Sequence, residues 1–224
     1  MKRALMLSIG VVLVAALLCS VATVAQGPEY GLKDYMPQTV GSKWIMKSTG
    51  AQGEVTNTYE VLAARDVDGQ QAMPIVMKTA DGTITSGTLE AVSADKLTMF
   101  GTIFGRRGAQ AGGEPVTVIY QPAAVFPGKL RVGQSEQSEV KSTMGGQPVT
   151  MTMKLELAAV ETVTVPKGTF ENCLKLVYTT VFAQGERKRT IWYAKGVGMV
   201  KRQDTRRADQ PPRVSELTDY ALAP

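Results

Sequence analysis

Between Val149 and Leu157 apolar and polar residues alternate without a break: Val149, Met151, Met153, Leu155 and Leu157 fall on one side, Thr150, Thr152, Lys154 and Glu156 on the other. Successive side chains of an extended strand point to opposite faces, so such a run buries one face and wets the other. The same period recurs near 43–48, 54–64, 71–79, 83–91, 96–101, 116–121, 134–142, 173–183, 187–194, 197–205 and 213–220, and helix-period stretches are nearly absent. Turn chemistry separates the runs at Asp68-Gly69, Asp81-Gly82, Gly145-Gly146, Pro166-Lys167-Gly168 and Gln184-Gly185. The chain is therefore predicted to be all-β, antiparallel and connected by hairpins. Gly105 to Gly113 lacks an apolar face and reads as a loop, and Asp209-Gln210-Pro211-Pro212 interrupts the last two strands.

The first 25 residues stand apart. Lys2 and Arg3 precede an apolar run from Ala4 to Leu18, and the small residues Ser20, Ala22 and Ala25 follow, which is the layout of a secretory signal peptide forming a leader helix. Export to the periplasm or beyond is the expectation, with cleavage after Ala22 or Ala25. Two alternatives stay open: a retained membrane anchor, and a lipid anchor at Cys19, against which Leu18 occupies a position that favours Gly, Ala or Ser. Residues 26–41 read as an extended N-terminal segment and 42–224 as one β domain, with room for two sequential β-meanders. Val40-Gly41-Ser42-Lys43-Trp44 echoes Val132-Gly133-Gln134-Ser135-Glu136, each after a proline-containing approach.

Composition narrows the chemistry. Cys173 is the one cysteine beyond the leader, so the mature chain has no internal disulfide and must be held by packing. A chain this long can bury roughly 70% of its unfolded surface without a metal or a covalent staple. Cys173, in a strand-like run, reads as a small buried apolar residue. There is no histidine, which removes Ser/His/Asp and Cys/His catalysis and the commonest zinc sites. Lys195-Gly196-Val197-Gly198 has neither the length of a phosphate loop nor a following helix. Asp66 and Asp68 supply too few oxygens for a calcium loop. No cofactor, metal or catalytic residue is predicted, and the expectation is a non-enzymatic exported protein that binds a ligand on its concave sheet or scaffolds an envelope assembly.

Three motifs carry a resemblance: Val165-Pro166-Lys167-Gly168-Thr169-Phe170, then Trp192-Tyr193-Ala194-Lys195-Gly196-Val197-Gly198, and an N-terminal entry built on Tyr35, Pro37, Gly41 and Trp44. In these the chain resembles the TapB-like group of exported bacterial β proteins. The resemblance implies a strongly curved antiparallel sheet, like the open half-barrels of periplasmic lipoprotein carriers, and its motif residues serve turns and packing. Gly196 and Gly198 are expected to let the indole of Trp192 lie over the turn.

Two binding modes follow. Nine methionines lie beyond the leader, and flexible thioethers suit either gap filling or a groove for an apolar or amphipathic ligand such as a lipid. The candidate ligand residues are Trp44, Met151, Met153, Tyr178 and Trp192, with both tryptophans also serving as core anchors. Alternatively, the cations toward the end of the chain, Arg187, Arg189, Lys201 and Arg202 foremost, form one basic face that holds an anionic envelope component or protein, or simply guards exposed strands. Without interleaved aromatics these cations do not point to nucleic acid. Contact with a membrane is expected only through the leader or a lipid on Cys19.

Overall fold

The computed structural model describes residues 27–50, 53–106, 113–205 and 211–224. The leader helix, its cleavage site and Cys19 lie outside the described residues, as do 107–112 of the glycine-rich loop and Asp209-Gln210. Among the described residues fifteen strands appear: β1 (Tyr30–Gly31), β2 (Lys43–Gly50), β3 (Gly53–Val61), β4 (Arg65–Val67), β5 (Gln70–Lys78), β6 (Ile84–Val92), β7 (Lys96–Phe104), β8 (Val116–Pro127), β9 (Lys129–Leu130), β10 (Ser135–Met144), β11 (Gln147–Val165), β12 (Gly168–Phe182), β13 (Gly185–Ala194), β14 (Gly198–Thr205) and β15 (Arg213–Ala221). Among the described residues one 3-10 turn is present, at Leu32–Asp34.

The large sheet runs β10-β11-β12-β13-β14-β15-β2-β3-β5-β6-β7-β8, antiparallel throughout, with β4 paired to β5 at the side. It is two meanders in chain order, joined where the last strand, β15, pairs with the first of the set, β2. The curvature carries almost to closure: the free edges β8 and β10 meet, and the Val125 amide donates to Ser138 Oγ at 3.4 Å. Such a barrel leaves almost no exposed edge.

The echoed sequences open the two meanders with matching geometry. Gly41 and Gly133 both have φ above +80°. Gly41 N donates to Val61 O while Val61 N returns to Ser42 O, and Gly133 N donates to Leu157 O while Leu157 N returns to Gln134 O.

The period-two run of β11 does what its pattern requires, with Met151, Met153, Leu155 and Leu157 buried on the inner face. Strands pack tightly enough at one point to demand glycine: a Cβ on Gly101 would lie 2.3 Å from Val118 O, where the β7–β8 ladder shifts register. Outside the barrel, a small cluster of Ala72, Leu89 and Phe100 packs with Val67 of β4.

The segment before β2 is more than an extended lead. β1 pairs with β9, and the 3-10 turn then buries Leu32, Tyr35 and Met36 among Leu97, Met99, Phe126 and Leu157. The Gly196 amide donates to Asp34 O at 2.8 Å, and Val92 N donates to Gln38 Oε1 at 2.9 Å. The segment thus ties β9, the β13–β14 turn and the end of β6 together across one end of the barrel. Full burial of Leu32 alone is worth about 1.5–3 kcal/mol. Its spacing carries no strand or helix period, which is why sequence pattern places it only as extended.

Candidate functional site

Inside the barrel lies a cavity of about 1130 Å³, somewhat above the roughly 300–1,000 Å³ common for small-molecule sites. Met36, Pro37, Trp44 and Gly198 border it at the end crossed by the N-terminal segment. At the other end it reaches the rim formed by hairpin ends, where Phe104, Phe182, Arg187 and Arg213 border it. Seven of the nine methionines beyond the leader line this space: Met36, Met77, Met99, Met144, Met151, Met153 and Met199.

The walls differ in chemistry. β7, β10, β11 and β12 contribute mainly Met, Val, Phe and Tyr, whereas β2, β3, β14 and β15 bring hydroxyls and charge. Ser48 and Ser215 share a hydrogen bond of 2.7 Å, joined by Asn57 Nδ2 at 3.4 Å. Next to them Arg202 grips Asp204 with two hydrogen bonds, Nε to Oδ2 at 2.6 Å and Nη2 to Oδ1 at 2.9 Å, and donates from Nη1 to Tyr59 Oη at 3.0 Å. Residues 202 and 204 share a face because they are two apart in β14. Arg189 faces Asp204 across the β13–β14 ladder and donates from Nε to Oδ1 at 3.0 Å. Burial opposes ionisation of Asp204, but Arg202 and Arg189 outweigh it and hold the carboxyl at about 2.

Glu90 of β6 borders the same cavity and is 6% exposed. Burial pushes its carboxyl up to about 7, and Thr88, Arg189 and Gln38 pull it back only in part. Tyr178 and Tyr193 stand close by; burial raises both phenols, and the Glu90 charge raises them further.

Of the residues singled out in the sequence for ligand contact, Trp44, Met151, Met153 and Tyr178 border the cavity. Trp192 does not. It projects from the opposite face of β13 to Ile191 and Tyr193, its Nε1 donates to Glu161 Oε1 at 2.5 Å, and Lys175 and Lys201 lie over its ring at 5.3 and 5.9 Å. The indole over the β13–β14 turn is that of Trp44 instead: Nε1 donates to Val197 O at 2.7 Å, and a Cβ on Gly198 would fall 2.8 Å from the ring.

The single basic face is also corrected by strand alternation. Arg189 and Arg202 turn into the barrel, while Lys201, one residue from Arg202, points outward to Glu216 at 2.8 Å. Arg187 sits at the rim with its guanidinium 5.4 Å from the Phe182 ring. Glu90, Tyr59 and Asp204 escaped the sequence reading. A charged residue on the apolar parity of a strand was the available signal, and a register shift between Leu89 and Glu90 obscured it on β6.

Cys173 is fully buried and its thiol is pushed up to about 11 by that burial. It is a core atom without thiolate chemistry.

Residues 39–210 match the DUF3108-like family. The chain belongs to the DUF3108-like family. Among solved structures, this DUF3108-like chain is similar to a candidate lipoprotein from Parabacteroides distasonis, with 18% identity and a TM-score of 0.45, over 83% of this chain and 97% of that one. It is also similar to a candidate exported protein with YmcC-like fold from Bacteroides fragilis, with 14% identity and a TM-score of 0.47, over 84% and 99%. The hypothetical lipoprotein YmcC from Escherichia coli aligns at 10% identity and a TM-score of 0.35, over 82% and 86%. No match is found among curated proteins.

Proposed function

We propose that this DUF3108-like protein is a non-enzymatic, exported envelope protein that holds an apolar or amphipathic ligand inside its barrel. The observation that carries the reading is the cavity itself: about 1130 Å³, walled by seven methionines, closed at one end by the N-terminal segment and reaching the rim at the other. A core built only for stability fills its interior to near-crystalline density, because each void forfeits contacts. Thioethers along such a wall adapt to chains of varied shape. Export rests on the leader-like first 25 residues.

Kinship with the TapB-like group belongs to the same reading. Two of the motifs meet at the closed end, where Trp44 of the entry motif seats on Val197 and Gly198 and Asp34 holds Gly196, and Val165 and Phe170 of the third lie in the hydrophobic cluster that contains Trp44.

The test is native mass spectrometry of the mature protein purified from the host that exports it. A copurified apolar or amphipathic molecule, released when the protein is denatured, is expected. A clean apo mass, together with no uptake of an added long-chain alcohol, would overturn the reading.

A further inference from the structure

We propose that the interior site selects anionic single-chain amphiphiles, taking the acidic head at Arg189 and the chain along the methionine wall of β11. This rests on the interior-ligand reading above and narrows it to one class of head group.

The charge balance of the cavity carries the inference. Arg106, Arg187, Lys188, Arg189, Arg202 and Arg213 border it, against Glu90, Glu186 and Asp204. The excess by count lies toward the rim, whereas deeper in the cavity Arg189 and Arg202 stand against Glu90 and Asp204. Asp204 is one carboxylate shared by two guanidiniums, and Arg202 takes both of its oxygens while spending a further N–H on Tyr59. Arg189 gives Asp204 a single bond from Nε. The terminal nitrogens of its fork have no other protein hydrogen bond among the described residues, and its side chain is 38% exposed. A fork with two donors turned to a cavity suits a carboxylate or a phosphate oxygen pair.

The groups around Glu90 strengthen the bias. Facing it are Arg189 and Tyr193 from β13 and Tyr178 from β12, with Thr88 and Gln38 beside it, and Arg202 from β14 borders the same cavity. Where Glu90 holds its proton, nothing but Asp204 offsets the two arginines at this depth, and an incoming anion meets a net positive site. Tyr178 links the head to the tail: its residue lies opposite Arg189 on β12–β13 and opposite Leu155 on β11–β12, two pairs from Met153. An acyl chain leaving the arginine therefore runs along β11 past Met153 and then Met151, two and four residues from Leu155, or about 7 and 14 Å of strand.

The experiment measures binding of dodecanoate, 1-dodecanol and dodecyltrimethylammonium, which share a chain and differ in head charge, to the full mature protein by calorimetry below their aggregation limits. Dodecanoate is expected to bind at least about 10-fold more tightly than the other two, as one charge-assisted hydrogen-bonded pair provides. Arg189→Met should bring dodecanoate to the level of 1-dodecanol and leave 1-dodecanol unchanged. That variant keeps Asp204 paired with Arg202, and circular dichroism verifies its fold. The wild-type ranking is decisive without it. Equal binding of the acid and the alcohol, or tighter binding of the cation, would overturn the head-group inference alone. Failure of all three probes to bind would overturn the interior-ligand reading beneath it.

Discussion

Replacing Glu90 by Gln should abolish a pH dependence of stability that the wild-type protein carries. The native carboxyl holds its proton up to about pH 7 because burial disfavours the anion, whereas its ordinary value is 4.5. Between those values the native state binds more protons than the unfolded chain, so stability falls as pH rises through the window and levels off above it. At about 1.36 kcal/mol per pKa unit, the loss between roughly pH 5 and pH 8.5 is about 2.5 kcal/mol. The window is unusually clean, since the chain has no histidine and Asp204, held at about 2, stays charged throughout. Urea titrations of the wild type and E90Q at several pH values measure the difference directly, and a loss of this size corresponds to roughly 5–10 °C in Tm for a domain of this length. The variant should gain on the wild type by about 2.5 kcal/mol across that range. A difference that stays flat from about pH 5 to pH 8.5 would refute the placement of Glu90 as a buried carboxyl on the cavity wall.

Gly198→Ala should cost about 2–4 kcal/mol, combining the strain of a positive φ with the forced displacement of the Trp44 indole; Gly82→Ala, with a similar φ and open space around it, should cost only about 1 kcal/mol, and equal losses in denaturant titrations would deny the indole contact its role. The Cys173 thiol should resist a thiol-reactive dye in the folded protein at pH 8 and react fully in denaturant, given its burial and a thiol pushed up to about 11; rapid labelling of the native form would contradict its place in the core.

The strand pattern was legible in the sequence because period-two burial is written residue by residue, as in Met151, Met153, Leu155 and Leu157. Closure was not, because it depends on how far twelve strands accumulate curvature, a property of no local run. Alternation also held the key to the charges. Read as a cluster, Arg187, Arg189, Lys201 and Arg202 form one face; read by parity, Lys201 and Arg202 must part. Trp192 was misplaced for the same reason, since Ile191 and Tyr193 on either side of it take the inner face. The plug at Leu32, Tyr35 and Met36 has no periodicity to announce it, and its burial comes entirely from tertiary contacts with β7, β8 and β11.

The claim on which the rest depends is that the methionine-walled interior receives ligand. Methyl-labelled methionine NMR of the mature protein, titrated with dodecanoate, addresses it directly, because seven of the nine methionines border the cavity and two, Met46 and Met73, do not. Saturable shifts led by Met151 and Met153 are the predicted result. No saturable change at Met151, Met153 or any other cavity methyl would contradict it.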